Sequence, residues 1–314
     1  MKKITTILAA FLFMAVQMNG QSVPFLNVNA DPYSHSMGGA TLTLEQNAFT
    51  TMNNASAMVF APNKTYGGLS YNTWQPDYLN NTNIGIATFS KVGKWAWGVS
   101  AKSFGYESYN ITNDKGGNTG TYSPKESSFD LSGAYTISEN FAAGVTLRYI
   151  SSDLGKDASA SSVAADISVT YMKDALKLAA AITNIGGKMD YGYGGYKLPS
   201  MAKVGANYSF DIAPEQTLAF NVEGDLVMEP SAFMAAIGAE YSYNKMINVR
   251  AGYHLGDEVV IPSYGSVGLG VKVWKLSLDA AYLFGGGENS TLNGSFGVAL
   301  GYRFYATPHT PAWQ

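Results

Sequence analysis

The chain has 314 residues, of which 46% are hydrophobic and only 14% charged, with 34 glycines, 21 tyrosines, no cysteine and a formal charge of −3. A soluble domain carries about 25% charged residues, so this chain lacks the polar surface that water requires, and its mild acidity offers nucleic acid no electrostatic footprint. Without cysteine there is no lipoprotein anchor, no disulfide framework and no thiolate metal site.

Met1-Lys2-Lys3 leads into an apolar run from Ile4 to Val16, followed by polar Gln17, Asn19 and Gln21. A basic start ahead of a short apolar run reads as a secretory signal peptide over residues 1–20, too short to cross a bilayer. Its removal takes the formal charge from −3 to −5. No later run reaches the roughly 20 apolar residues of a spanning helix, so any membrane crossing falls to strands.

Residues 21–63 do not alternate. They carry Asp31-Pro32, Met37-Gly38-Gly39-Ala40 and Met52-Asn53-Asn54-Ala55-Ser56. Glycine pairs permit close backbone approach, and Asn and Asp cap turns and short helices. A compact hatch of turns and short helices is expected here, because the apolar Phe25, Leu26, Met37 and Phe49 argue against a disordered leader.

From Lys64 onward, segments of alternating polarity arrive at regular spacing: 64–74, 81–91, 94–106, 125–136, 141–152, 160–172, 176–186, 199–210, 216–227, 232–242, 246–254, 263–273, 275–284 and 294–304. Fourteen strands of about 11 residues, tilted at about 45°, match the apolar band of an outer-membrane barrel. The expected fold is therefore all-β: a transmembrane antiparallel barrel over residues 64–304 with an N-terminal luminal hatch. Connections after even-numbered segments are short, and those after odd-numbered ones are longer, notably 107–125, 187–199, 255–262 and 285–293. Short periplasmic turns and longer external loops follow this rule and place both termini in the periplasm. On the outward face, Trp95, Tyr135, Phe141, Tyr171, Tyr208, Tyr241 and Tyr302 fall at the short-turn ends, with Tyr149, Tyr253 and Tyr282 at the other. That spacing makes two interfacial girdles.

The last segment is the clearest. Phe296, Val298, Leu300, Tyr302 and Phe304 alternate with Gly297, Ala299, Gly301 and Arg303, giving a lipid face and a face small enough for a crowded inner wall. Beyond Phe304, residues 305–314 contain Pro308 and Pro311, which remove donors and fix φ. This tail is expected to leave the barrel at about Thr307.

Inward positions hold Lys102, Asp130, Arg148, Asp166, Lys203, Glu223, Glu240, Arg250, Lys272, Asp279 and Arg303. Two runs of alternating sign, Asp130, Arg148, Asp166 and Lys272, Asp279, Arg303, are the candidate luminal ion pairs, with Arg148 expected to meet Asp130 or Asp166. Balanced charges neutralise rather than select, so a lining that holds hatch and wall together is favoured over a charge-selective pore. Catalysis finds little support: His35, His254 and His309 have no metal-ligand spacing, and no nucleophile elbow, phosphate loop or HExxH motif occurs. The chain reads as non-enzymatic, with no cofactor and no metal.

One set of segments resembles a known family. Phe25-Leu26-Asn27, Met37-Gly38-Gly39-Ala40, Asn54-Ala55-Ser56, Leu147-Arg148-Tyr149-Ile150-Ser151-Ser152-Asp153-Leu154, Ala165-Asp166-Ile167 with Tyr171, Ile182-Thr183-Asn184-Ile185-Gly186 and Leu198-Pro199 look like the PorV/PorQ family over nearly the whole mature chain. The family's Asn-Pro-Ala in the hatch is Asn54-Ala55-Ser56 here. The resemblance implies a monomeric barrel related to the long-chain fatty-acid transporter (FadL-like) type, with a hatch motif at Met37, Gly38, Gly39, Ala40 and Asn54. It also implies a non-enzymatic role in type IX secretion, with outer-membrane lipid, exported cargo or other secretion-system proteins as partners. The alternative is a FadL-like outer-membrane transporter of small hydrophobic molecules.

Overall fold

The structure is a computed structural model that describes residues 23–76, 79–113, 116–155, 158–192, 194–229, 231–285 and 290–304. The expected signal peptide and the expected tail lie outside the described residues. Fourteen antiparallel strands close into a barrel: β1 Thr65–Trp74, β2 Asn81–Val92, β3 Trp95–Gly105, β6 Lys125–Ser138, β7 Phe141–Asp153, β8 Ser159–Lys173, β9 Leu176–Gly186, β12 Met201–Ala213, β13 Gln216–Met228, β14 Ser231–Tyr243, β15 Ile247–Leu255, β16 Tyr264–Val273, β17 Leu276–Gly285 and β18 Phe296–Phe304. The four intervening labels belong to two hairpins in the long loops: β4 Tyr109–Thr112 with β5 Asn118–Tyr122, and β10 Lys188–Asp190 with β11 Gly195–Lys197. Those two hairpins correct the reading of 107–125 and 187–199 as plain loops. Among the described residues no helix is long and apolar enough to cross a membrane.

Every expected wall segment is a strand, with ends shifted by about three residues at most. The reason is the period of two. Along β2 and β3 buried and exposed residues alternate, and the outward set of the last three strands is Val267, Leu269, Val271, Leu276, Leu278, Tyr282, Phe296, Val298, Leu300 and Tyr302. A contiguous apolar exterior of this extent has lipid as its solvent. Closure needs the first strand to find the last, and β1 pairs with β18 from Thr65↔Phe304 to Asn72↔Gly297. Closure leaves no unpaired edge to face hydrocarbon.

Turns at one end are tight and use left-handed residues, among them Gly93, Asp174, Glu215, Asn244, Lys245 and Trp274. Trp274 is 91% exposed there, the most prominent aromatic at the short-turn rim. The opposite end carries the long loops and their hairpins.

Beyond irregularities near the short turns at Thr136–Ser138 and Asp211–Ala213, period two fails in the body of β9. Thr183 and Asn184 both point inward, because the pairing with β8 shifts between Ala165 and Ile167. Asn184 takes the left-handed φ of 56° that this bulge requires.

Residues 23–63 lie inside the barrel as 3-10 turns Pro24–Asn27 and Ala55–Phe60 and short helices Pro32–Ser36 and Thr50–Asn53. The helix Pro32–Ser36 packs on β15 to β18, whereas Ala55–Phe60 packs on β6, β7 and β8. The hatch therefore bridges opposite walls.

Candidate functional site

A short irregular segment buried in a barrel carries many main-chain groups with no ladder to join, and each unpaired one is costly. Inward wall side chains meet this need. Lys102 Nζ donates to the carbonyls of Phe25 and Val28 at 2.9 Å each, and Lys177 Nζ donates to Leu44 O at 2.7 Å. Asn72 and Asn83 donate to Ala30 O and Asn29 O at 3.0 and 2.7 Å. Lys91 donates to Ala61 O. In the other direction, Glu223 accepts from Thr41 N, Thr41 Oγ1 and Leu42 N at 2.8, 2.7 and 2.7 Å. The polar lining is in large part the hydrogen-bonding partner of the hatch backbone.

The hatch motif makes the closest contacts. Helix Pro32–Ser36 is capped by Asp31, which accepts from Tyr33 N at 3.0 Å, and it ends where Gly39 N donates to Ser34 O at 2.9 Å. Gly38 and Gly39 hold φ of 71° and 85°, a left-handed pair closing the helix. The carbonyl of Gly38 faces His254 Nδ1 at 3.0 Å, and its N–H donates to Ser266 Oγ at 3.2 Å. Met37 is buried, and Ala40 O accepts from Ser34 Oγ at 2.6 Å. Asn54 Nδ2 donates to Leu42 O at 2.7 Å and Thr170 Oγ1 at 2.9 Å, while its Oδ1 accepts from Ser56 Oγ at 2.7 Å. One asparagine thus ties two stretches of hatch to β8.

Three charge clusters stand around this core, each with one cation between two carboxylates. Arg148 on β7 meets Asp130 at 2.8 Å and Asp166 at 3.1 Å, and Arg148 Nη1 donates to the bulged Asn184 at 2.5 Å. Asp166 also accepts from Asn184 N at 2.6 Å. Lys203 meets Glu223 at 2.9 Å and Asp225 at 3.3 Å, and Arg250 meets Glu240 at 2.6 Å and Asp279 at 2.7 Å with its guanidinium over the Tyr33 ring at 3.9 Å. Buried cations so placed are matched in charge and geometry, and removing one partner leaves the others unpaired.

The second expected run is not assembled as read. Asp279 pairs with Arg250; Lys272 reaches Glu45 of the hatch at 2.5 Å; and Arg303 Nη2 donates to Trp274 O at 2.9 Å. Register explains it. Lys272 lies opposite Ser277 and Gly270 opposite Asp279, so on the inner face of β16 only the glycines Gly268 and Gly270 separate Arg250 from Asp279, and the arginine side chain crosses them. Arg303 sits beyond the paired end of β17, at the level of Lys275. Asp225, Lys177 and Glu126 join the luminal set, and alternation with neighbouring signs was the signal that could have found Asp225.

Among the displaced titratable groups of the hatch, Asp31 and His35 act in opposite directions. Burial pushes the Asp31 carboxyl up to about 7, against the hydrogen bond from Asn47, and burial holds the His35 imidazole down to about 4. Their linkage signs oppose each other. The raised acid contributes stability that is complete below about pH 4 and lost as pH rises through 7. The depressed histidine contributes stability present above about pH 6.5 and lost as pH falls through 4. Asp31→Asn should therefore leave hatch protection rising between pH 4 and 6.5 relative to the unmodified chain, whereas His35→Gln should leave it falling toward pH 7. Amide exchange of residues 23–63 measures both, and parallel profiles for the two variants would contradict the assignment.

Between the hatch and the long-loop half lies a cavity of about 90 Å³. Its walls combine the charged Lys102, Asp130, Arg148, Asp166, Lys203 and Asp225 with apolar Leu26, Val28, Trp74, Met201, Met234 and Ile261, so it is of mixed character. Among the described residues no three His, Asp or Glu side chains converge as metal ligands.

A family model described as Type IX secretion system protein PorV matches residues 15–233. Among curated proteins no sequence matches the chain. Solved structures share the fold: the toluene transporter TbuX of Ralstonia pickettii, at 14% identity and a TM-score of 0.64 over 88% of this chain and 98% of that one; the P. putida toluene transporter TodX, at 12% and 0.64 over 88% and 98%; and a Pseudomonas aeruginosa FadL homologue, at 14% and 0.51 over 92% and 100%. Identities this low speak to the barrel and hatch alone. With the family match spanning most of the chain, through the hatch and nine wall strands to the start of the tenth at residue 233, this outer-membrane β-barrel belongs to the family of the type IX secretion system protein PorV.

Proposed function

We propose that this protein is a non-enzymatic outer-membrane scaffold that binds exported or surface proteins in a type IX secretion process, with its short turns and both termini in the periplasm and its long loops outside. The observation that carries this reading is the lumen. A route for hydrophobic molecules needs a continuous apolar path, whereas the interior is filled by a hatch hydrogen-bonded to the wall, crossed by three ion clusters, and left with a cavity of only about 90 Å³ whose walls are interrupted by charged residues. The long-loop end supports protein contact. Its hairpins expose Tyr109, Ile111 and Tyr196, and exposed aromatics on rigid hairpins supply contact area at low entropic cost.

The rival reading, a transporter of small hydrophobic molecules, draws on one observation. An apolar cluster including Phe25, Trp74, Phe104, Met189, Leu198 and Leu283 occupies the long-loop half of the lumen. Cross-linking on intact cells followed by purification of the barrel separates the two. Recovery of exported proteins, lost when residues 109–122 are replaced by a short Gly-Ser turn while the barrel still migrates as folded, is the expected outcome. Unchanged recovery after that replacement, or uptake of a hydrophobic probe that depends on the barrel, would count against the scaffold.

A further inference from the structure

The cavity above the hatch is lined by buried polar atoms without partners, among them the Asn27 amide and Thr183 Oγ1 as well as several acceptors. Its cations are largely committed to partners: Lys102 spends two of its three donors on carbonyls, Lys203 bonds Glu223, Asp225 and Thr41, and Arg148 bonds Asp130, Asp166 and Asn184. Its buried acceptors have not been matched. Asp225 Oδ1, His35 Nε2 and His254 Nε2 each lack a partner, although the three residues are only 8%, 3% and 5% exposed. All three line the cavity.

The tautomers follow from the neighbours. His254 Nδ1 faces the Gly38 carbonyl, which can only accept, so the ring proton is on Nδ1 and Nε2 presents a lone pair. His35 Nε2 is buried without a partner beside it, and its neutral ring presents a lone pair there when the proton sits on Nδ1. Charge points the same way. The Arg148 and Lys203 clusters each hold one cation with two carboxylates, and Lys102 offsets only one of the two surplus negative charges. The walls add two aromatic faces, Trp74 and Tyr264, with His35 packed on Trp74 at 5.5 Å and His254 stacked on Tyr264 at 4.9 Å between centroids.

A directly ligated metal ion is not served, because no three ligating side chains converge among the described residues. An N–H-bearing cation suits separated acceptors and aromatic walls, since its hydrogens point outward to several partners and its charge is attracted by ring faces. We propose that this cavity is a binding site for an alkylammonium or guanidinium group, held by Asp225 Oδ1 and the Nε2 atoms of His35 and His254. The group can arrive as a free small amine or as the basic side chain of a bound protein. The chemistry is the same for both, and the site stands whether or not the secretion reading does.

Calorimetric titration of the detergent-solubilised full chain tests it with propylammonium, propionate and tetramethylammonium. Saturable binding of propylammonium is expected, with none for propionate and at least tenfold weaker binding for tetramethylammonium, which matches the charge but has no N–H. Asp225→Asn should weaken propylammonium at least tenfold. His35→Phe, which keeps a ring against Trp74 while deleting the acceptor, should weaken it severalfold, and it serves if the first variant does not fold by heat-modifiable mobility. A lysine-containing peptide that competes with propylammonium, when its norleucine counterpart does not, identifies a protein side chain as a source; competition by free amines alone identifies a small molecule. Absence of saturable propylammonium binding, or equal binding of propionate, overturns the proposal.

Discussion

Arg148→Leu is expected to lose about 3–5 kcal/mol of unfolding free energy. Its guanidinium is 8% exposed and lies between Asp130 and Asp166, which are 2% and 10% exposed at their side chains. Leucine fills most of the volume but leaves two buried carboxylates facing each other, and the bulged Asn184 loses the donor at its Oδ1. The measurement is a urea unfolding curve of the barrel refolded into vesicles, followed by heat-modifiable mobility. A second chain carrying Arg148→Leu with Asp130→Asn and Asp166→Asn should recover most of the loss, since the stranded charges are gone. If the single variant unfolds at the same urea concentration as the unmodified chain, the cluster is not a structural tie.

Gly252→Val should displace the hatch without opening the wall. A Cβ at Gly252 would lie 2.2 Å from Gly38 N and 2.5 Å from Met37 C, main-chain atoms that cannot rotate aside, and Gly38 is itself fixed in a left-handed conformation. Overpacking of this kind costs about 1–3 kcal/mol or more, and it is directed at the contact where His254 holds the hatch. The expected readouts are ion conductance in planar bilayers that the unmodified barrel does not show, and faster proteolysis within residues 23–63. The control is Gly67→Val, at a position where an added Cβ meets nothing within 4 Å. Equal conductance in both variants would mean that the hatch does not rest on Gly252.

Both expectations depend on contacts that differ in how far they could be read from the chain alone. Asp130, Arg148 and Asp166 sit on consecutive strands, and Asp130↔Arg148 is a direct register pair, so alternation and hairpin order bring them together. For Lys272, Asp279 and Arg303 the same reasoning places the residues inside but assigns the wrong partners. The decisive facts there are that β16 presents glycine at 268 and 270, letting Arg250 reach across it, and that Glu45 of the hatch stands in front of Lys272. The hatch was legible as a non-alternating, turn-rich segment. Its attachment points were not, because a carbonyl acceptor has no sequence identity and any residue can supply one.

What the sequence by itself determined is the wall: fourteen strands, their faces, the short-turn and long-loop ends and the aromatic rims. Side-chain direction in a strand repeats every two residues, and lipid outside with a crowded interior makes the two faces chemically different, so the pattern carries register locally. What only the tertiary structure decided is everything that spans the lumen: the β9 bulge that turns Asn184 inward, the grip of Glu223, Lys102 and His254 on the hatch, and the cavity left between them. These contacts join residues up to 228 positions apart in the chain, and no local periodicity encodes a distance across a closed barrel; it is set by strand number, stagger and the volume of the side chains that meet at the axis.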